Sequence, residues 1–138
     1  MEKTRNIRLN VCLAARSGPM RNALLSFLRT MPDVKVVLLS EDLSKAMQFL
    51  SQQKPDVVVI EAHGSSGNWL RLVENMQKNV SGVRSLVFVE TMEQQRTALN
   101  AGASQAIFQG MPGEWVKQAV RGKATGISSK PVEKASFS

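Results

Sequence analysis

At 138 residues, 43% hydrophobic and 21% charged, the chain has the size and make-up of one globular domain with its own core, not of a disordered segment. No apolar run approaches the ~20 residues that span a bilayer, and the opening Met-Glu-Lys-Thr-Arg-Asn leads into no signal-peptide h-region, so a soluble, cytoplasmic protein without membrane contact is expected. The formal charge of +7 favours acidic partners, but the basic residues are scattered from Lys3 and Arg8 to Lys130 and Lys134 without interleaved aromatics, so direct nucleic-acid binding by this segment is not expected.

Residues 1–6 read as an N-terminal extension. Leu9, Val11 and Leu13 alternate like a strand, and the one cysteine, Cys12, sits within it as a small core residue with no disulfide partner. Met20, Ala23, Leu24, Phe27 and Leu28 recur at helical spacing behind Ser17-Gly18-Pro19, and Met31-Pro32-Asp33 ends that helix. Val34 to Leu39 reads as a buried strand. Ser40-Glu41-Asp42 supplies N-cap candidates for a helix with Leu43, Ala46, Met47 and Leu50 on one face. After the Lys54-Pro55-Asp56 turn, Val57-Val58-Val59-Ile60 is a β-branched run of the kind found in strands covered on both faces.

Trp69, Leu72, Val73 and Met76 mark a third helix, and Leu86 to Val89 a fourth strand. A helix with Met92, Arg96 and Leu99 stops at Gly102, and Ala106-Ile107-Phe108 is a short fifth strand. The last helix opens near Pro112-Gly113, carries Trp115, Val116, Ala119 and Val120, and stops at Gly122. Residues 123–138 have the composition of a flexible linker. Five strands each followed by a helix predict an α/β fold, a flavodoxin-like (βα)5 unit over residues 7–122. Its five-stranded parallel sheet has order 2-1-3-4-5 with helices on both faces. The crevice of such a fold lies at the carboxyl ends of the strands, which directs attention to Ala14–Ser17, Glu61–Gly64, Glu90–Met92 and Gln109–Met111.

Met31-Pro32-Asp33-Val34-Lys35-Val36-Val37, Lys54-Pro55-Asp56-Val57-Val58-Val59-Ile60-Glu61 and Ala101-Gly102-Ala103-Ser104-Gln105-Ala106-Ile107 follow one another in a telling order. Together they resemble receiver domains of LuxR/NarL-type response regulators, from about Ile7 to Arg121. A receiver of that family holds Mg²⁺ with an acidic pair after its first strand and an aspartate after its third. The same aspartate is the nucleophile toward phosphorus. A Thr or Ser after the fourth strand and a Lys after the fifth grip the phosphoryl oxygens.

Carried over position by position, the acidic pair falls on Ala14, Ala15 and Arg16, the phosphoacceptor is Glu61, and the lysine position is Gln109. Thr91 alone matches. The resemblance therefore implies an atypical, phosphorylation-deficient receiver that binds no Mg²⁺ and no other metal, needs no cofactor and is not an enzyme. Glu61 imitates a phosphoaspartate poorly, with one charge against ~1.5–2. A structural role for it is the favoured reading, an ion pair or hydrogen bond with Arg16 as the nearby cation.

His63 has no second histidine or carboxylate at ligand spacing and reads as a surface residue. Gly64-Ser65-Ser66-Gly67 lacks the Lys-Ser/Thr that closes a phosphate loop and reads as a turn. Trp69 and Trp115 read as core residues, with an interface as the alternative; Met111, Trp115 and Val116 are the candidate interface, and Met92 and Met111 candidate adaptable contacts. The expected function is that of a dimerisation and signal-input module of a two-component-type transcription regulator. It would be a homodimer or bind a partner regulatory protein, and touch DNA only through a helix-turn-helix beyond Ser138. Two alternatives stay open: a stand-alone interaction adaptor, and a sensor of an anionic ligand such as a cyclic dinucleotide, with Arg16 and Arg21 as recruiting cations.

Overall fold

The computed structural model describes residues 8–63 and 67–122; the expected extension at 1–6, the linker at 123–138 and most of the Gly-Ser turn lie outside the described residues. Strand and helix alternate throughout: β1 (Leu9–Ala14), α1 (Pro19–Arg29), β2 (Val34–Ser40), α2 (Leu43–Gln52), β3 (Val57–Glu61), α3 (Asn68–Asn79), β4 (Arg84–Val89), α4 (Met92–Asn100), β5 (Gln105–Phe108) and α5 (Gly113–Val120). All strand pairs are parallel and the order is β2-β1-β3-β4-β5, the predicted topology. Among the described residues no helix is long and apolar enough to cross a membrane.

The period of two along each inner strand divides the core into two layers. Val11, Leu13, Val57, Val59, Leu86, Phe88 and Ile107 face α1 and α5, where Leu24, Leu28, Val116, Ala119 and Val120 cover them. Cys12, Ala14, Val58, Ile60, Val87, Val89 and Ala106 face the other way, onto Ala46 and Leu50 of α2, Trp69, Leu72, Val73 and Met76 of α3, and Ala98 of α4. The Val57–Ile60 run is wholly buried because it is the middle strand of the sheet. Burial pushes the Cys12 thiol up to about 12, so it stays a neutral core residue.

Three expectations change. β2 is not a buried strand: it is a sheet edge in which only Val34 and Ser40 are buried and Leu39 is 37% exposed. Its pairing with β1 skips Val37, and Lys35 projects to solvent; a slipped register and an edge lysine both discourage pairing with another chain. Ala23 of α1 is exposed, because the stripe that meets the sheet runs through Leu24 and Leu28 with Met20, Leu25 and Phe27 at its margins. Met92 of α4 is 61% exposed, since it opens the helix at the rim, and Ala98 is the buried contact instead.

Gly102 ends α4 as its position suggested. Its N–H donates to Leu99 O and that of Ala103 to Ala98 O, a Schellman pair closed by the glycine at φ +111°. Gly102→Ala is expected to cost about 1–2 kcal/mol in urea unfolding, because an L residue is strained at that φ and its Cβ would collide with the Gln77 side chain.

The C-terminal end of α5 is tied down twice. Arg84, at the start of β4, donates from its guanidinium to Ala119 O (3.0 Å) and Val120 O (2.6 Å). Arg121 forms a two-pronged pair with Asp33, both N–O distances being 2.9 Å. That guanidinium holds the Asp33 carboxyl below its ordinary range, mainly through the hydrogen bond itself. The stabilisation is therefore present at neutral pH and disappears as the pH falls below the ordinary aspartate value of 3.8. Both side chains are about a third exposed (36% and 35%), so Asp33→Asn is expected to cost at most about 1 kcal/mol at pH 7 and progressively less as the pH is lowered through the acid range, as read by urea unfolding across it.

Candidate functional site

The carboxyl ends of β1, β2 and β3 form the floor of a cleft of about 870 Å³, walled by the first turns of α2 and α3. Ala14, Ala15 and Arg16 enter it from β1 and the turn beyond, Glu41 and Asp42 from the end of β2, Glu61 from the last position of β3, and Arg71 from α3. The cleft forms here because the connections after all three strands rise from the same edge of a parallel sheet, and α2 and α3 flank the strand crossover between β1 and β3.

The carboxylates of this rim are held by backbone N–H groups. Glu61, only 9% exposed, accepts from the Arg16 N–H at 3.2 Å. Glu41 accepts from the next N–H, that of Ser17, at 2.9 Å. Asp42 caps α2, accepting from Ser44 N–H (2.8 Å) and Lys45 N–H (3.4 Å), as its place before the helix suggested. The β1–α1 turn is thus pinned from both sides, by a carboxylate of β3 and one that follows β2. Such bonds satisfy N–H groups that no strand partner reaches and are stronger than neutral ones. The expected Arg16–Glu61 contact exists, but through the backbone N–H; the guanidinium projects to solvent.

Ala14, Ala15, Arg16 and Glu61 are therefore brought together, with exposed His63 beside them. Thr91 and Gln109 line no part of this cleft. Thr91 is the N-cap of α4: its hydroxyl accepts from Gln94 N–H at 3.0 Å, while Gln94 Oε1 accepts from Glu90 N–H at 2.7 Å, a form of capping box. Gln109 follows β5, donates its backbone N–H to Val89 O, and buries an Nε2 that has no partner among the described residues. Of the candidate interface residues, Val116 is core, on the buried face of α5; Met111 and Trp115 are part-buried.

A magnesium ion does not fit these residues. The positions that would offer its carboxylates are two buried alanines and an arginine, and the Glu61 oxygen nearest the β1–α1 turn already accepts an N–H. Among the described residues no three His, Cys, Asp or Glu side chains converge on one point.

Reading the rim from β1, β3, β4 and β5 alone overlooks half of the cleft. Glu41 and Asp42 look like helix-capping residues in the sequence, and Asn68, Arg71 and Asn75 like the polar face of α3. The available signal was the position of Glu41-Asp42 directly after a strand that lies next to β1.

Neither a family model nor a curated relative matches this sequence. Its likeness lies in solved structures. The signal receiver domain of NarL from Mycobacterium tuberculosis superposes with TM-score 0.71 at 15% identity, over 85% of this chain and 99% of that one. A DNA-binding response regulator of the LuxR family from Staphylococcus aureus gives 0.70 at 13% identity, over 82% and 96%. RcsB, in a structure of two dimers bound to two parallel DNAs, gives 0.67 at 17% identity, over 84% of this chain but 62% of that one. At these identities the likeness concerns architecture, and the strand order and helix placement agree with it. The chain has the fold of response-regulator receiver domains.

Proposed function

We propose that this chain is a pseudo-receiver: a regulatory module that works without aspartyl phosphorylation, by pairing with itself or with a partner regulatory protein. The carrying observation is the rim itself. Where a phosphorylated receiver needs carboxylates free to hold a cation beside a nucleophile, the carboxylate of Glu61 accepts a backbone N–H of a turn that contributes no acid. Charge clamp and template are both missing, and phosphoryl transfer depends on these more than on any covalent chemistry of the protein. Of its structural neighbours, one is a DNA-binding regulator of the LuxR family and another was seen as dimers on DNA. That supports placing the module in a cytoplasmic transcription regulator whose DNA contacts are made by another domain.

The test is incubation of the chain with acetyl phosphate or with beryllofluoride, each with magnesium. Intact-mass and fluorine NMR spectra are expected to show no adduct, and sedimentation to show an unchanged association state. A phosphoryl group on Glu61, or a beryllofluoride signal, would overturn the reading. Glu61→Gln keeps an oxygen for the Arg16 N–H, so its expected cost is about 0.5–1 kcal/mol in urea unfolding, with self-association unaltered.

A further inference from the structure

We infer that the end of the domain where the strands begin is a contact surface for the phosphate backbone of duplex DNA, with Arg8, Lys35 and Lys54 as its cations. This adds to the regulatory reading a DNA contact of the module's own. The choice of DNA over an RNA duplex rests on that reading; the charge argument does not.

Basic residues that are scattered along the sequence are gathered by the topology. In a parallel sheet flanked by helices, every strand starts and every helix ends at one pole. Arg8 immediately precedes β1, Lys35 is the second residue of β2, Lys54 follows α2, and Arg29 and Lys78 lie in the last turns of α1 and α3. All five are exposed and make no hydrogen bond or ion pair among the described residues. Three of them share one corner. Asn10 is in register with Lys35 and is joined to Asp56 twice: its carbonyl accepts the Asp56 N–H (2.8 Å), and the Asp56 carboxylate accepts its N–H (2.7 Å). Arg8 is two residues from Asn10 and Lys54 two from Asp56, so all three Cα atoms lie within about 13 Å of Asn10. Screening acts over about 10 Å at 0.1 M salt, so cations this close bear on the same run of phosphates.

The acids of this pole are committed. Asp33 is held by Arg121, and Asp56 serves the Asn10 N–H and offsets the part-buried charge of Arg84. Glu74 lies in the middle of α3, and the other described carboxylates, Glu41, Asp42, Glu61, Glu90, Glu93 and Glu114, lie at the opposite pole. Residues 1–7 and 123–138 join the domain at the basic pole, and they add Lys3, Arg5, Lys123, Lys130 and Lys134 against Glu2 and Glu133. Complementing helix dipoles accounts for Arg29, Lys54 and Lys78, but Arg8 and Lys35 stand at strand starts. Guarding the sheet edge asks for Lys35 alone.

The neutral surface narrows the partner. A protein interface is anchored by buried apolar side chains, yet the exposed large hydrophobics, Leu39 and Met92, are both at the opposite pole. Single strands are gripped by stacking on aromatics, and no aromatic among the described residues is exposed. A duplex needs neither, since its phosphates present a dense line of charge to cations alone.

Fluorescence anisotropy of the full chain with a labelled duplex of roughly 20 base pairs, at about 50 and 200 mM salt, tests this. Saturable binding is expected at the lower salt, weaker by at least about fortyfold at the higher, as three neutralised phosphates require. The triple variant Arg8→Gln, Lys35→Gln, Lys54→Gln is expected to bind at least about tenfold more weakly, with a salt slope shallower by about 2 to 3. The matched variant Lys45→Gln, Arg71→Gln, Arg96→Gln loses the same charge away from the pole and is expected to change affinity less than about threefold. All six residues are exposed, and unaltered melting temperatures will show both variants folded. No binding at about 100 µM chain in the lower salt, equal losses from the two variants, or polyglutamate or a single strand binding as tightly as the duplex would each overturn the inference. So would tighter binding of an RNA duplex, an outcome that leaves the adduct test of the regulatory reading untouched.

Discussion

Leu72→Ala is expected to lower the unfolding free energy by about 3–4 kcal/mol, seen as a fall in the urea midpoint with an unchanged slope. Leu72 is fully buried on the α3 face that meets the sheet, in the same apolar cluster as Val58, Ile60, Val87 and Val89. Truncation removes the transfer free energy of the lost carbons and leaves a void that close-packed neighbours fill only in part. The strands beneath cannot shift to fill it, because each is paired on both sides. Ala23→Ser on the exposed side of α1 provides the contrast, with an expected change within about 0.5 kcal/mol. A loss below about 1 kcal/mol for Leu72→Ala would mean that α3 does not pack on the sheet as described.

Arg84→Ala is expected to be nearly as damaging, about 2–4 kcal/mol by the same measurement, although it removes a charged residue. Its part-buried guanidinium donates to the last two carbonyls of that helix, Ala119 O, which also accepts the Gly122 N–H, and Val120 O. Burial disfavours the charged guanidinium, and the carboxylate of Asp56 partly offsets this. The cation at a helix C-terminus also meets the negative end of the helix dipole. Without Arg84 the Val120 carbonyl loses that donor, and Ala119 O keeps only the Gly122 N–H. Arg84→Lys is expected to recover only part of the loss, because an ammonium is a point charge without the fork that reaches two carbonyls at once. Hydrogen exchange is expected to rise first in α5, whose C-terminal end then relies on backbone bonds such as Gly122 N–H to Ala119 O and on the exposed Arg121–Asp33 pair.

Most of the fold is legible in the order of its residues. The run Val57–Ile60 can be buried on both faces only in the interior of a parallel sheet, and it is the middle strand. Trp69, Leu72, Val73 and Met76 fall on one side of a helix at the 3.6-residue period, and all four are buried. Gly102 and Gly122 both sit in the left-handed conformation that closes a helix. Where the reading fails, the cause is position in the sheet. Val34–Leu39 is as apolar as an inner strand, but a strand placed last in the sheet has one side without a neighbour, so its side chains stay half in solvent. Ala23 and Met92 fail for a related reason: periodicity marks a stripe, and only contact with the sheet decides where that stripe begins and ends.

The site divides in the same way. The sequence by itself determined that positions 14 to 16 carry no carboxylate, being Ala14, Ala15 and Arg16, whatever the backbone does. It also narrowed the sheet order to few alternatives, since short βα connections of one handedness leave no more. Only the tertiary structure decided that Glu41, 20 residues before Glu61 in the chain, would hold the N–H next to the one Glu61 holds, and that Arg71 would share their cleft. Those meetings depend on which strands lie beside β1 and on where α2 and α3 begin. A hydrogen bond acts over about 3 Å, and no local pattern encodes so short a distance between distant residues.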